Sequence, residues 1–276
     1  MAQLNKIQLC FFYFTGETPT KNENVGQMNR RKLLICVAGL VVLADGFYLG
    51  RWLMDLNREK KSEKEIMDII RSDTVGNDGY KMTKESYEKL RDRCSDVVGY
   101  IEFPNDFLSE PVAQSDDNDY YLYHWIDDTE TTQGSVFMDC DCSKEDQNIT
   151  IYGHNVYYDA KARFSPLEKL TDQEVFEQNS QFRLWIDDEM RTYEIAYVTI
   201  YDTKLDADFD FRIKNFYTDE MYTDFIDWMN EHQLIEPLNK TYIDKTDSYV
   251  TLQTCVKWHS AERYLITAKE IDREKI

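Results

Sequence analysis

The chain has 276 residues, with 52 acidic against 32 basic side chains and a formal net charge of −20 at pH 7. That length buries a substantial core, in one larger or two smaller domains. The charge argues against a nucleic-acid binder, because neutralising phosphates needs a basic face and the sequence supplies none.

The first 27 residues carry no usable periodicity, and Met28 opens "MNRRKLL", the usual start of a signal-anchor. The expectation is that Met28 is the true initiator and that the preceding segment is either a wrongly assigned start or an unstructured extension. Residues 33–50, "LLICVAGLVVLADGFYLG", form an apolar run broken only by Asp45. At about 1.5 Å per residue such a helix just reaches across a bilayer core. Arg30, Arg31 and Lys32 precede it, and a basic N-terminal flank stays in the cytoplasm. A cleaved signal ending near Ala44 and a buried core helix are the competing readings. The expected layout is a cytoplasmic extension over 1–32 and a single-pass membrane signal-anchor over 33–53. The rest of the chain is then extracellular, although Asp45 is costly in mid-membrane.

Residues 54–97 are expected to form a helical stalk and N-terminal helices. "NREKKSEKEIMDIIRSD" sets Ile66, Ile69 and Ile70 on one stripe. Thr83 is the expected N-cap of a second helix, on which Tyr87, Leu90 and Cys94 share a face.

From Val98 the period changes to two. Eight strand-like runs follow: "VVGYIEF", "PVAQ", "GSVFMD", "ITIYG", "SQFRLWI", "MRTYEIAYVTIYD", "SYVTLQTC" and "ERYLITAKEI", with "DDE" turning a hairpin between the fifth and sixth. Eight short strands in one segment favour a barrel, which removes exposed sheet edges. "FSPLEKLTDQEVFEQN" offers two capping boxes in succession, Ser165 with Glu168 and Thr171 with Glu174. "FYTDEMYTDFIDWMNEHQLI" places Met221, Phe225, Trp228 and Met229 on one face, a packing helix inserted before the last two strands. The predicted fold is mainly β: an eight-stranded barrel over 98–276 with N-terminal helices and one inserted helix. "LDADFDF" lacks the turn glycine and bidentate glutamate of a calcium loop and is read as a solvated acidic loop.

Six cysteines do not fall into a disulfide framework. Cys36 lies in the apolar run and Cys10 before it. Cys140 and Cys142 in "MDCDCS" are too close to bridge, and no second pair completes a metal site. A Cys94 link to one of them stays open. Cys255 ends a strand-like run, where it could be a core thiol or a nucleophile. A nucleophile needs a base or cation, oxyanion donors and access to substrate. Of the four histidines, His124 sits in an aromatic run, His232 ends the amphipathic helix and His259 lies in a connecting loop. His154 in "YGHN" directly follows a strand and opens a loop, where a rigid scaffold presents functional side chains.

"TLQTC" at 251–255, Arg263 opening the next strand and "YGHN" upstream resemble the signature of the sortases, membrane-anchored cysteine transpeptidases of Gram-positive bacteria. The likeness covers roughly Val98 to Ile271. "VGYIEFP", "YYLYHW", "GSVFMD" and "FSPLEKL" point to class B, in which serine often stands where this chain has Gln253. The resemblance implies an eight-stranded barrel with Cys255, His154 and Arg263 at one groove. Cys255 would attack a threonine carbonyl in a sorting motif near the C-terminus of a secreted surface protein, His154 would act as general acid and then base, and Arg263 would stabilise the oxyanion. Leu252, Thr254 and Asn155 would bind substrate. The thioester would pass to an amine of a cell-wall peptide, the N-terminal helix would hold the enzyme at the membrane, and no metal or organic cofactor is implied. A hydrolase that releases its acyl group to water, and a non-enzymatic binding module with a buried Cys255, are the alternatives.

Overall fold

The computed structural model describes residues 30–70 and 79–276. The expected start at Met28, the extension before it and Cys10 lie outside the described residues, as do the side chains of Cys36 and Ile70. The chain divides into two compact units, Met1–Arg51 and Trp52–Ile276.

The first helix, α1, runs unbroken over Arg30–Ile70. Among the described residues no helix is long and apolar enough to cross a membrane. This corrects the single-pass placement, and with it the extracellular assignment and the membrane partnership drawn from it. The apolar run is interrupted by Asp45, and from Arg51 the same helix continues into the charged "REKKSEKE". Its part beyond Trp52 belongs to the second unit, where Ile66 is buried beside Tyr87 and Leu90 of α2 (Lys84–Arg93) and Cys94 at its C-cap. Thr83 caps α2 as expected, accepting from the Ser86 N–H.

Eight strands close the barrel: β1 (Val97–Glu102), β2 (Ser109–Ala113), β3 (Val136–Met138), β4 (Asn148–Tyr152), β5 (Gln181–Ile186), β6 (Glu189–Asp202), β7 (Tyr249–Val256) and β8 (His259–Lys275). Their order around the barrel is β1-β2-β3-β4-β7-β8-β6-β5. The β2–β3 and β4–β7 pairs are parallel and the rest antiparallel. Period-two segments place alternate side chains inside. Ile101, Val112, Ile149, Leu184, Ile195 and Val250 meet in the central core, and Phe164, Leu167 and Phe176 join the same cluster.

Phe164 precedes and Leu167 belongs to a 3-10 turn at Ser165–Thr171, and Phe176 belongs to α3 at Gln173–Gln178. Neither expected capping box forms there. The Ser165 hydroxyl accepts from the Val156 N–H at 2.7 Å, and α3 is capped by Asp172, which accepts from the N–H groups of Glu174 and Val175. The inserted helix α4 (Asp219–Glu231) buries Phe225 and Met229 against Phe216 and Tyr249, just ahead of β7. All four described cysteines outside the N-terminal unit, Cys94, Cys140, Cys142 and Cys255, are free thiols.

One buried ion cluster ties α1 to the barrel. Arg163, fully buried, pairs with Glu63 of α1 at 3.0 Å and Glu110 of β2 at 3.3 Å, donates through Nε to the Gly134 carbonyl and lies 4.0 Å over the Trp125 ring. Burial holds the Glu110 carboxyl above the usual range even with Arg163 beside it.

Candidate active site

The site forms where β4 and β7 end and β8 begins. Strands β4 and β7 run parallel in one register, from Asn148↔Tyr249 to Tyr152↔Gln253. The pairing continues past β4: the Gly153 N–H donates to the Gln253 carbonyl at 3.2 Å, and the Thr254 hydroxyl donates to the Gly153 carbonyl at 2.7 Å. His154 directly follows Gly153, as Cys255 directly follows Thr254. Glycine is required at 153, since a Cβ there would stand 2.7 Å from the Phe164 ring. On the other side of β7, Cys255 is paired with Arg263 of β8 in the antiparallel ladder. Residues directly opposed across neighbouring strands share a face of the sheet. The register shifts immediately after Cys255, between Cys255 and Val256.

His154 is half-buried, with Nε2 3.0 Å from the Leu122 carbonyl. A carbonyl only accepts, so Nε2 carries the proton and the neutral ring keeps Nδ1 as its acceptor. Burial pushes the imidazole pKa below its ordinary value; the bond to Leu122 opposes the shift and the positive charge of Arg163 adds to it. Cys255 is half-buried, so its thiol is neither sealed in the core nor fully open. Arg263 is also half-buried, and its Nη1 donates to the Glu262 carbonyl at 2.9 Å. Such a guanidinium is permanently charged and presents several donors in a fixed plane.

The other expected site residues lie around this centre in different ways. Leu252 is 0% exposed inside the barrel, and Thr254 is likewise buried with its hydroxyl committed to Gly153. Neither presents surface to a peptide. The Asn155 amide donates to the Cys255 carbonyl at 3.0 Å and to Glu168 Oε2 at 2.9 Å, and Lys257 Nζ lies 2.8 Å from the other Glu168 oxygen. Glu168 and Lys257 were not singled out from the sequence; Glu168 had been read as a helix-cap partner. The three remaining histidines are engaged elsewhere. His124 stacks on Tyr120 at 4.1 Å, His232 stacks on Trp228 at 4.1 Å, and His259, exposed at the first position of β8 and not in the connecting loop, lies 3.4 Å from Glu262.

Potential metal ligands gather at Asp139, Cys140 and Asp141. The Asp139 carboxylate there accepts from the Tyr152 hydroxyl, the Asn118 amide and the Asp141 N–H. Those bonds account for its burial without an ion. Burial also raises the neighbouring Cys142 thiol to about 11, which keeps it protonated and inert.

Comparison with known proteins bears on the same region. The sortase domain family model matches residues 112–271. Sortase B of Listeria monocytogenes is 26% identical over 232 residues, covering 82% of this chain and 89% of the relative. Among solved structures, sortase B of Clostridium perfringens is 26% identical with a TM-score of 0.60, over 67% of this chain and 100% of that one. A Bacillus anthracis protein similar to sortase B is 26% identical with a TM-score of 0.63, over 79% and 98%. The Staphylococcus aureus sortase B–substrate complex, at 22% identity and a TM-score of 0.65 over 79% and 99%, shares the fold.

Proposed function

Since the chain belongs to the sortase family and is therefore a sortase transpeptidase, we propose that it is a class B enzyme that joins secreted surface proteins to a cell-wall peptide. His154 takes the proton of the Cys255 thiol, the resulting thiolate attacks the carbonyl carbon of a threonine in a C-terminal sorting motif, and a tetrahedral oxyanion forms. Arg263 donates to that oxygen and holds the peptide backbone. His154 gives a proton to the departing amine, the C–N bond breaks, and a thioester remains on Cys255. An amine of the cell-wall peptide then attacks the thioester, His154 takes its proton, and the thiolate is released with a new amide bond. Proton and leaving group balance without a metal or organic cofactor.

The observation that supports this reading is the pairing of Cys255 with Arg263 across the β7–β8 ladder, with His154 two residues past the end of β4, the strand that runs parallel beside β7. A binding module has no need of that arrangement. The class B assignment is supported by the sortase B relative and by the inserted α4 ahead of β7.

The test mixes the full chain with a panel of sorting-motif peptides and reads intact protein mass with and without an added amine. A peptide adduct on Cys255 that the amine removes as a ligated product is the expected result, and Cys255→Ala should form none. An adduct that water clears equally fast with or without amine would identify a hydrolase instead. No adduct with any peptide, while the thiol still reacts with iodoacetamide, would overturn the proposed substrate class.

A further inference from the structure

We propose that Asn155 is a positioning residue for the nucleophile, tying the Cys255 backbone to the loop that carries His154, and that the Glu168–Lys257 ion pair holds its amide in place. The inference rests on reading Cys255 as the nucleophile.

Strand β4 ends at Tyr152, and just beyond it the Gly153 N–H donates to the Gln253 carbonyl. Carbonyls two residues apart on a strand face the same edge, so the Cys255 carbonyl lies past the end of the parallel ladder. At that point a side chain supplies a bond instead: the Asn155 Nδ2 donates to the Cys255 carbonyl at 3.0 Å. The backbone of Asn155 is itself fixed, bridging Arg163 across the loop, and Val156 beside it donates to Ser165. Both amide protons are used, one on Cys255 and one on Glu168. The orientation is therefore determined, since a flipped amide would set its oxygen against two acceptors. Its Oδ1 is buried without a hydrogen-bond partner, which the amide would not adopt unless the two donated bonds outweighed it.

Glu168 would be free to swing away were it not paired. Lys257, two residues past Cys255, closes the circuit at 2.8 Å, with both side chains about three-quarters buried. The His154 loop, the 3-10 turn and the end of β7 thus form one hydrogen-bonded unit around the reacting sulfur. Misplacing a reacting group by about 1 Å costs on the order of 100-fold in rate. Asn155 thereby acts through Cys255 and not on the peptide.

The test compares the full-length wild type with Asn155→Leu, Glu168→Gln and Lys257→Met, measuring kcat and KM for transpeptidation, thermal melting, and the pH profile of Cys255 alkylation by iodoacetamide. Asn155→Leu should lower kcat roughly 10- to 100-fold with peptide KM within about twofold. Glu168→Gln keeps an oxygen for the amide and should lose less than about threefold, with Lys257→Met between the two. A raised KM at unchanged kcat would make Asn155 a substrate contact and overturn the proposal. So would a lower melting temperature at unchanged kcat. Should Asn155→Leu fail to fold, Lys257→Met, which removes no bond to Cys255, decides the matter: unchanged kcat overturns the proposal. The alkylation profile is independent of peptide chemistry. It should shift in Asn155→Leu even if no peptide is turned over by the wild type, an outcome that would count against the proposed function alone. Identical alkylation profiles would overturn the positioning role.

Discussion

Replacing Leu252 by Ala separates a supporting role from a substrate contact. Leu252 is wholly buried, opposed by Ile151 of β4 and Ile266 of β8, both also inside the barrel. The substitution removes three carbons, about 2.4 kcal/mol at roughly 0.8 kcal/mol per methylene. The ladders on both sides hinder collapse of the gap, and the resulting cavity brings the expected loss to about 3–4 kcal/mol. For a unit of this size each kcal/mol lowers Tm by about 2–4 °C, so a fall of about 6–16 °C is expected. Thermal melting and steady-state transpeptidation, run on the same preparation below the melting range, check it. Peptide KM should stay within about twofold of the wild type. An unchanged Tm with a several-fold higher KM would refute the burial argument and place Leu252 against the peptide.

Arg263→Lys should lose about 10²–10³-fold in kcat while melting as the wild type does, because an ammonium does not reproduce the planar fork at the oxyanion; full activity would remove Arg263 from that role. His259→Ala should retain activity in the same assay, since His259 is exposed at the start of β8 and lies beside Glu262. Arg163→Met leaves Glu110 buried without its cation and should cost about 3–5 kcal/mol in denaturant unfolding. The half-buried His154 also sets a pH dependence. Its folded pKa lies below the unfolded value near 6.5, so the unfolded chain binds more protons in the window beneath that value and stability falls as the pH drops through it. His154→Gln should flatten this part of the stability curve, read from denaturant midpoints between pH 5 and 7.

The strands were legible because each alternates over its own length, and "DDE" marked the β5–β6 hairpin, where Asp187 takes a positive φ. Thr83 and Thr218 cap their helices through bonds to N–H groups three residues on, which local spacing encodes. Local spacing misled at "FSPLEKLT", where Ser165 could serve either its own helix or the Val156 N–H nine residues back, and the loop around His154 took it. It misled again at the apolar run before Arg51, whose hydropathy suggested a membrane span but which continues as one helix into a charged segment.

Strand count and the inserted helix follow from periodicity, a property of neighbouring residues, whereas the candidate trio of Cys255, His154 and Arg263 is what the resemblance to the sortases implies. The order in which the strands close, the burial of Leu252 and the grip of Asn155 on Cys255 were decided only by tertiary structure. The Asn155 bond joins residues 100 apart in the chain, and Arg163 meets Glu110 and Glu63 across 53 and 100 residues. Bonds over such separations form when barrel closure brings distant strand ends together, and no local pattern of residues specifies which partner will be there.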